Sequence, residues 1–250
     1  DFIKTAISFD PGSHGYRDGI FHRTLEEHEC VTIGNWKFHT GFLGAKREPV
    51  IISKTFQGMV NAAAATSLAL AYFKPWAGDQ SGNRREATIK NFTEGTSCLE
   101  KRSFRWEQSH MHFLRREREL MEKVFMLPVE IFYRETGKTK KVTEYPCDGK
   151  LLKAAEQVKT KYHTGRGVIG SGDEWNNQLD RIALLRERYH TAVEDMESAA
   201  AASFAFLMEY RFLGADPVKF YRNGEKFDEA VGIDGQKFML SLIDQMREYM

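Results

Sequence analysis

Cysteine is scarce in this sequence, and no sign of charge is in excess. Cys30, Cys98 and Cys147 are the three cysteines in 250 residues. An odd and widely spaced set argues against a disulfide framework and is compatible with a reducing compartment. Lys and Arg number 36 against 35 Asp and Glu, a formal charge of +1, so nothing in the balance points to nucleic acid or an anionic membrane as partner. No apolar run approaches the roughly 20 residues that a bilayer span needs. A signal-like apolar segment is also missing. The chain starts at Asp1 rather than Met, which leaves a processed, secreted form open beside the favoured cytoplasmic one. There is no repeat, low-complexity tract or linker, so one domain over 1–250 is expected. Hydrophobic and charged contents of 42% and 28% are those of an ordinary globular chain, and this length can bury roughly 70–75% of its unfolded surface.

What is present reads as alternating strands and helices. Residues 2–9 form a strand that ends at the turn Asp10-Pro11-Gly12-Ser13. Residues 31–42 and 49–54 read as two more strands with a turn around Gly44. Gly58 opens a long Ala- and Leu-rich helix through Phe73, stopped by Pro75. Residues 99–123 mix Lys and Arg with Glu107, Glu117, Glu119 and Glu122, unlike a nucleic-acid surface, and are expected to be a solvated or oligomer-facing helical segment. His110 and His112 lack a further ligand at metal spacing and are read as structural. Residues 127–133 suggest a strand followed by a turn at 135–138. Asp148 is placed to cap a helix from Gly149. A strand at 167–171, a helix from about 177 to 188 and an amphipathic C-terminal helix at 233–249 complete the pattern, which is α/β.

The stretch Val193-Glu194-Asp195-Met196-Glu197-Ser198, followed by four alanines, stands out. It is expected to be a helix with carboxylates in its first turn and small residues that let it lie close to its neighbours. The carboxylates could simply complement the positive helix terminus. Met196 beside Glu197, directly before the alanines, points instead to a carboxylate held at the wall of the core and aimed into a cleft.

This stretch resembles the Glu-Met-Glu-Ala-Ala pattern of the nucleoside phosphorylase and methylthioadenosine/S-adenosylhomocysteine nucleosidase superfamily. Phe38-His39-Thr40-Gly41, then a strand, then Gly58-Met59-Val60-Asn61 with its alanines and a helix ending in Phe73-Lys74-Pro75 are similar to its hydrolytic branch, with Phe56 at the first glycine of the family's Gly-Ile-Gly turn. Ser171-Gly172-Asp173-Glu174-Trp175-Asn176 matches a strand end that carries an aromatic residue. The resemblance implies a three-layer α/β/α sandwich around a central mixed sheet, a dimer or larger homo-oligomer, and no metal or organic cofactor. By resemblance Met196 packs on the sugar, Glu197 binds ribose hydroxyls with Asp195 at the family's first Glu, and Trp175 stacks on a purine with Asn176 beside it. The hydrolases place a water-orienting acid just after the first strand, where the nearest candidate is Asp10. Two departures accompany these matches. Residues 76–85 replace a Gly-rich loop near the sugar, and the run from Ala215 to Asn223 carries no Ser-Asp or Ser-Asn pair of the kind that helps protonate the leaving base; Asp216, about three positions early and before Pro217, is the only acid nearby.

Breaking a purine–ribose bond develops positive charge on the sugar and negative charge on the base, so the chemistry asks for a sugar clamp near anionic groups and a proton donor to the base. A carboxylate such as Glu197 can accept hydrogen bonds from two neighbouring hydroxyls, and an indole offers a stacking face. Two classes stay open: a purine-nucleoside N-ribosyl hydrolase of weakened activity, and a non-catalytic nucleoside-binding or storage protein of the same superfamily. Phosphorolysis is less favoured, because Phe9 replaces the glycine of a Gly-Asp-Pro phosphate loop.

Overall fold

The structure is a computed structural model that describes residues 5–10, 20–75, 85–86, 88–91, 97–108, 124–126, 128–133, 136–159, 164–173, 179–217, 229–246 and 248–249. In chain order its elements are β1 (Thr5–Asp10), α1 (Ile20–Thr24), β2 (Glu26–Ile33), β3 (Trp36–Leu43), β4 (Glu48–Lys54), α2 (Met59–Phe73), β5 (Arg85–Glu86), β6 (Thr88–Asn91) and β7 (Ser97–Gln108). They continue with β8 (Val124–Met126), β9 (Val129–Tyr133), β10 (Lys138–Val142), β11 (Tyr145–Pro146), α3 (Gly149–Glu156) and β12 (Thr164–Ser171). The last are α4 (Leu179–Tyr189), β13 (Thr191–Asp195), α5 (Ser198–Leu207), β14 (Tyr210–Arg211), β15 (Ala215–Pro217) and α6 (Glu229–Met246).

One sheet runs β2-β3-β4-β1-β6, with β4, β1 and β6 parallel and β2 and β3 an antiparallel hairpin at its edge. In a second, β7, β12 and β13 are parallel, and β11, β8 and β15 pair antiparallel to β7, while β9 with β10 and β5 with β14 form two-stranded pairs. Strand β4 shows how side chains sort between layers. Val50 and Ile52 enter a core with Phe21 of α1, Leu151 and Leu152 of α3 and Met239, Leu242 and Ile243 of α6. The residue between them, Ile51, points the other way, into a core with Ala69 and Leu70 of α2 and Ala201, Ala202 and Ala205 of α5. This period-two alternation of a strand buried on both faces is what an α/β/α sandwich requires. The alanines on the facing sides of α2 and α5 let the two helices pack closely.

Several expected elements hold. α2 stops at a left-handed Lys74 just before Pro75, and the Asp148 side chain accepts from the Lys150 and Leu151 N–H groups, capping α3. Three expectations need correction. Residues 31–42 are not one strand: Gly34 at φ 60° and Asn35 make a two-residue turn between β2 and β3, the hairpin connection that positive-φ residues favour. Residues 99–108 are strand, not helix; their mixture of charged and aromatic residues hid the period-two pattern. His110 and His112 lie outside the described residues. Finally, Glu194 and Asp195 end β13, and α5 begins only at Ser198 with no acidic residue in its first turn.

The turn between β3 and β4 is fastened to the C-terminal helix. Asp244 accepts from the Ala45 and Lys46 N–H groups at 3.2 and 3.1 Å, and Lys46 Nζ donates to the Asp244 carbonyl at 2.8 Å. Gly44 has φ 76°, and a Cβ there would collide with Asp244 Oδ1. Removing a charged acceptor from backbone donors costs about 1–3 kcal/mol. Asp244→Ala is therefore expected to lower stability in urea unfolding by that order, and Gly44→Ala by a comparable amount. An unchanged midpoint in both would show that this fastening does not hold α6 to the sheet.

Candidate functional site

Both Ala-rich helices begin at the carboxyl ends of parallel strands, and each leaves N–H groups that its own first turn cannot satisfy. α2 has no side-chain cap of its own. Its entry is supplied from distant parts of the chain: Gly58 N–H donates to Glu197 Oε1 at 2.5 Å, and Met59 N–H donates to Asp173 Oδ1 at 2.6 Å. Two carboxylates at this end also meet the positive pole of the helix. α5 is treated in the same way. Ser198 N–H donates to Asp195 Oδ2 at 3.0 Å, and Ala199 N–H donates to Ser171 Oγ at 2.9 Å.

The serines join these ends into one network. Ser171 Oγ donates to Asp195 Oδ1 at 2.5 Å, Ser198 Oγ donates to Asp195 Oδ2, and Gly172 N–H donates to the Asp195 carbonyl at 3.0 Å. Both Asp195 oxygens are thus used within the protein, bracing β12 against β13 and α5. Glu197 is 6% exposed, and its second oxygen accepts from the Met196 N–H at 3.2 Å. Met196 lies beside it, with its sulfur accepting from Gln57 Nε2 at 3.2 Å. The effect is to aim Glu197 across the gap between the two strand ends, toward the turn that opens α2.

That turn is strained. Phe56 has φ 65° and Gly58 φ 96°. Gly58 suits such a backbone, whereas an aromatic residue there is an outlier. A Cβ on Gly58 would also stand 3.2 Å from Asp173 Oδ1, so the glycine serves both the conformation and the close approach of a carboxylate.

Of the expected site residues, Asp195, Met196 and Glu197 come together, with Asp173 and Ser171 as members the sequence reading did not assign. Their signal was the Ser-Gly-Asp strand end, used there only to locate Trp175. Asp10 is described by its backbone. It ends β1 opposite Asn91, and β1 runs parallel to β4 with Phe9 opposite Lys54, so Asp10 ends its strand at the edge from which the Gly58 turn springs. Asp216 is also described by its backbone, in β15 opposite Cys98. Ser171 is opposite Arg105 of the same β7, which sets the two positions seven residues apart along that strand. The described backbone does not bring Asp216 to Glu197. Trp175, Asn176 and the loop at 76–84 lie outside the described residues.

A pocket beside this network is lined by Met59, Val60, Ala63, Asp173, Ala199 and Phe204, among others. In open α/β sheets, ligands bind outside the carboxyl ends of the strands, where these carboxylates and this pocket stand.

Comparison with known proteins agrees with the fold. A model of the phosphorylase superfamily matches residues 120–219. The chain is 26% identical over 204 residues to a 5'-methylthioadenosine/S-adenosylhomocysteine nucleosidase of Bacillus licheniformis, covering 78% of this chain and 77% of that protein. Its structure is similar to that of a 5'-methylthioadenosine/S-adenosylhomocysteine nucleosidase of Colwellia psychrerythraea in complex with adenine, with a TM-score of 0.67 and 17% identity, covering 98% of this chain and 96% of the other. It is similar also to a futalosine hydrolase of Helicobacter pylori, with a TM-score of 0.67 and 14% identity, covering 97% and 99%. At these identities the structural likeness speaks for the α/β/α fold. Taken together, the sequence matches and the structural likeness make the chain similar to the nucleoside phosphorylase and methylthioadenosine/S-adenosylhomocysteine nucleosidase superfamily, at a divergent level of identity.

Proposed function

We propose that this protein binds purine nucleosides and hydrolyses the base–ribose bond slowly. The observation that carries the reading is the buried Glu197 carboxylate, held by the Gly58 and Met196 N–H groups at the carboxyl ends of parallel strands, in a chain whose relatives are nucleosidases. In this reading Glu197 takes ribose hydroxyls, Met196 covers the sugar, Asp195 holds the loop that carries both, and Trp175 with Asn176 receives the purine. Asp10, at the same strand edge, orients the attacking water. Glu197, Asp173 and Asp195 cluster their charge near the proposed sugar position. Such a cluster favours a sugar that is becoming cationic and opposes a phosphate anion. That supports water over phosphate as nucleophile. Val60, Tyr72 and Phe132 are 78, 61 and 63% exposed, which supports the expected homodimer or larger assembly, since large exposed apolar side chains gain by being covered.

The offset of Asp216 along β7 favours weak leaving-group activation, and in the limit the second reading, a nucleoside-binding protein without turnover. A positioned general acid contributes about 10²–10⁴-fold. Incubation with methylthioadenosine, S-adenosylhomocysteine, adenosine and inosine, with and without phosphate, should release free base from one or more of them independently of phosphate. The rate should lie well below the enzyme median of about 10 s⁻¹. Binding without base release would establish the second reading, and absence of both would overturn the nucleoside assignment. A kcat near the median that Asp216→Asn abolishes would show instead that Asp216 is an effective acid.

Glu197→Gln should reduce nucleoside affinity or turnover by about tenfold or more, since charge-assisted hydrogen bonds contribute about 1.5–3 kcal/mol each. Free-base binding should change little. A variant that melts early yet binds nucleoside normally would make Glu197 a purely structural acceptor for the α2 entry. Adenine should quench part of the tryptophan fluorescence, and Trp175→Ala should remove that response; an unchanged titration in the variant would place the base elsewhere.

A further inference from the structure

The outer side of the β2–β3 hairpin gathers three side chains of metal-binding type: Glu27, Cys30 and His39 each offer a ligand atom within 4.8 Å of the others. Their meeting follows from the register. Cys30 and His39 are directly opposite on antiparallel strands, which puts their side chains on one face. Regular alternation would send Glu27 to the other face of β2. The irregularity between Glu27 and Glu29 inserts an extra residue, so Glu27 pairs with Gly41 while Glu29 pairs with Thr40. That bulge returns Glu27 to the face of Cys30 and His39. Gly41 has no side chain of its own to occupy the place opposite Glu27.

The two imidazole nitrogens face different partners. His39 Nδ1 is 3.2 Å from Glu27 Oε1, and His39 Nε2 is 3.9 Å from Cys30 Sγ. A carboxylate on Nδ1 holds that nitrogen as the donor and leaves the Nε2 lone pair directed at the sulfur. This is the arrangement in which a histidine ligand is oriented by a carboxylate behind it. A zinc-type ion sits about 2.3 Å from sulfur and about 2.0–2.1 Å from nitrogen, which for a tetrahedral angle separates the two ligand atoms by about 3.5 Å. The observed separation needs a shift of only a few tenths of an ångström. The Cys30 and Glu27 side chains are exposed and the His39 side chain is 17% exposed, so an ion can enter from solvent.

We propose that Cys30 Sγ and His39 Nε2 bind a divalent cation of the zinc class, with Glu27 as the residue that positions the imidazole. The thiolate and imidazole donors select zinc or cobalt over magnesium or calcium, which prefer oxygen. Two protein ligands leave the other coordination positions to water. Binding releases the thiol proton, since the thiolate is the ligand. The site stands on the edge hairpin and is independent of the nucleoside reading.

The test is titration of the protein with Co²⁺, read as thiolate-to-cobalt charge-transfer absorption. One equivalent should develop the band, and Zn²⁺ should displace it. Cys30→Ser should abolish the band and Cys147→Ser should leave it. His39→Ala should also abolish the band, whereas Glu27→Gln should keep it with affinity lower by about 10–100-fold. In the unmodified protein, Zn²⁺ should slow alkylation of Cys30 and not of Cys147. Absence of a band and of protection at excess metal would overturn the site, as would a band that survives Cys30→Ser or His39→Ala. Unchanged affinity in Glu27→Gln would overturn the positioning role of Glu27.

Discussion

The hydrogen bond from the Gly58 N–H to the Glu197 carboxylate ties the entrance of α2 to the end of β13. It answers a problem set by the sequence, because an Ala-rich helix with glycine at its N-terminus carries no capping side chain of its own. The structure meets that need with Glu197 and Asp173 from strand ends more than a hundred residues away in sequence. Capping and site formation are therefore one event. The same contacts that let α2 start also fix the position of the carboxylate that would meet a ligand.

This arrangement depends on how closely α2 and α5 approach. Ala62, Ala65 and Ala69 on one helix and Ala201, Ala202 and Ala205 on the other are all buried, and their small side chains let the α2 entrance lie close enough to accept Glu197 and Asp173 as its caps. The opposite face of the sheet is built differently. There, larger side chains of α3 and α6 such as Leu151, Met239 and Leu242 fill the space over Val50 and Ile52. One layer is specialised for close backbone approach and the other for apolar bulk, which fits a site confined to one edge of the sandwich.

The sequence reading reached the longer helices and the parallel strands β1, β4 and β12 because their signals are local. Pro75, Asp148 and the run of alanines each state a boundary or a face. It missed the Gly34-Asn35 turn, which lies inside an unbroken apolar and aromatic run, and it read β7 as helix because mixed charges gave no clear period. Within the site, Met196 and Glu197 were legible from their place before the alanines. The bracing role of Asp195 was not, since it rests on Ser171, whose hydroxyl reaches both Asp195 and the Ala199 N–H of α5 only after β12 and β13 pair. Asp173 was hidden for the same reason: its partner, the Met59 N–H, becomes a neighbour only in the folded chain.

Phe56 gives the α2 entrance a mechanical character. A left-handed backbone at a residue with a Cβ costs roughly 1–2 kcal/mol, and Phe56 carries that cost two residues before Gly58. A charge-assisted hydrogen bond contributes about 1.5–3 kcal/mol, so the Glu197 bond to Gly58 is of the size needed to hold the turn in its bent shape. The turn is a cocked spring with a carboxylate for its catch. Without that catch the cost at Phe56 would stand unopposed, so the bend between β4 and α2 is tied to the state of a carboxylate at the end of β13.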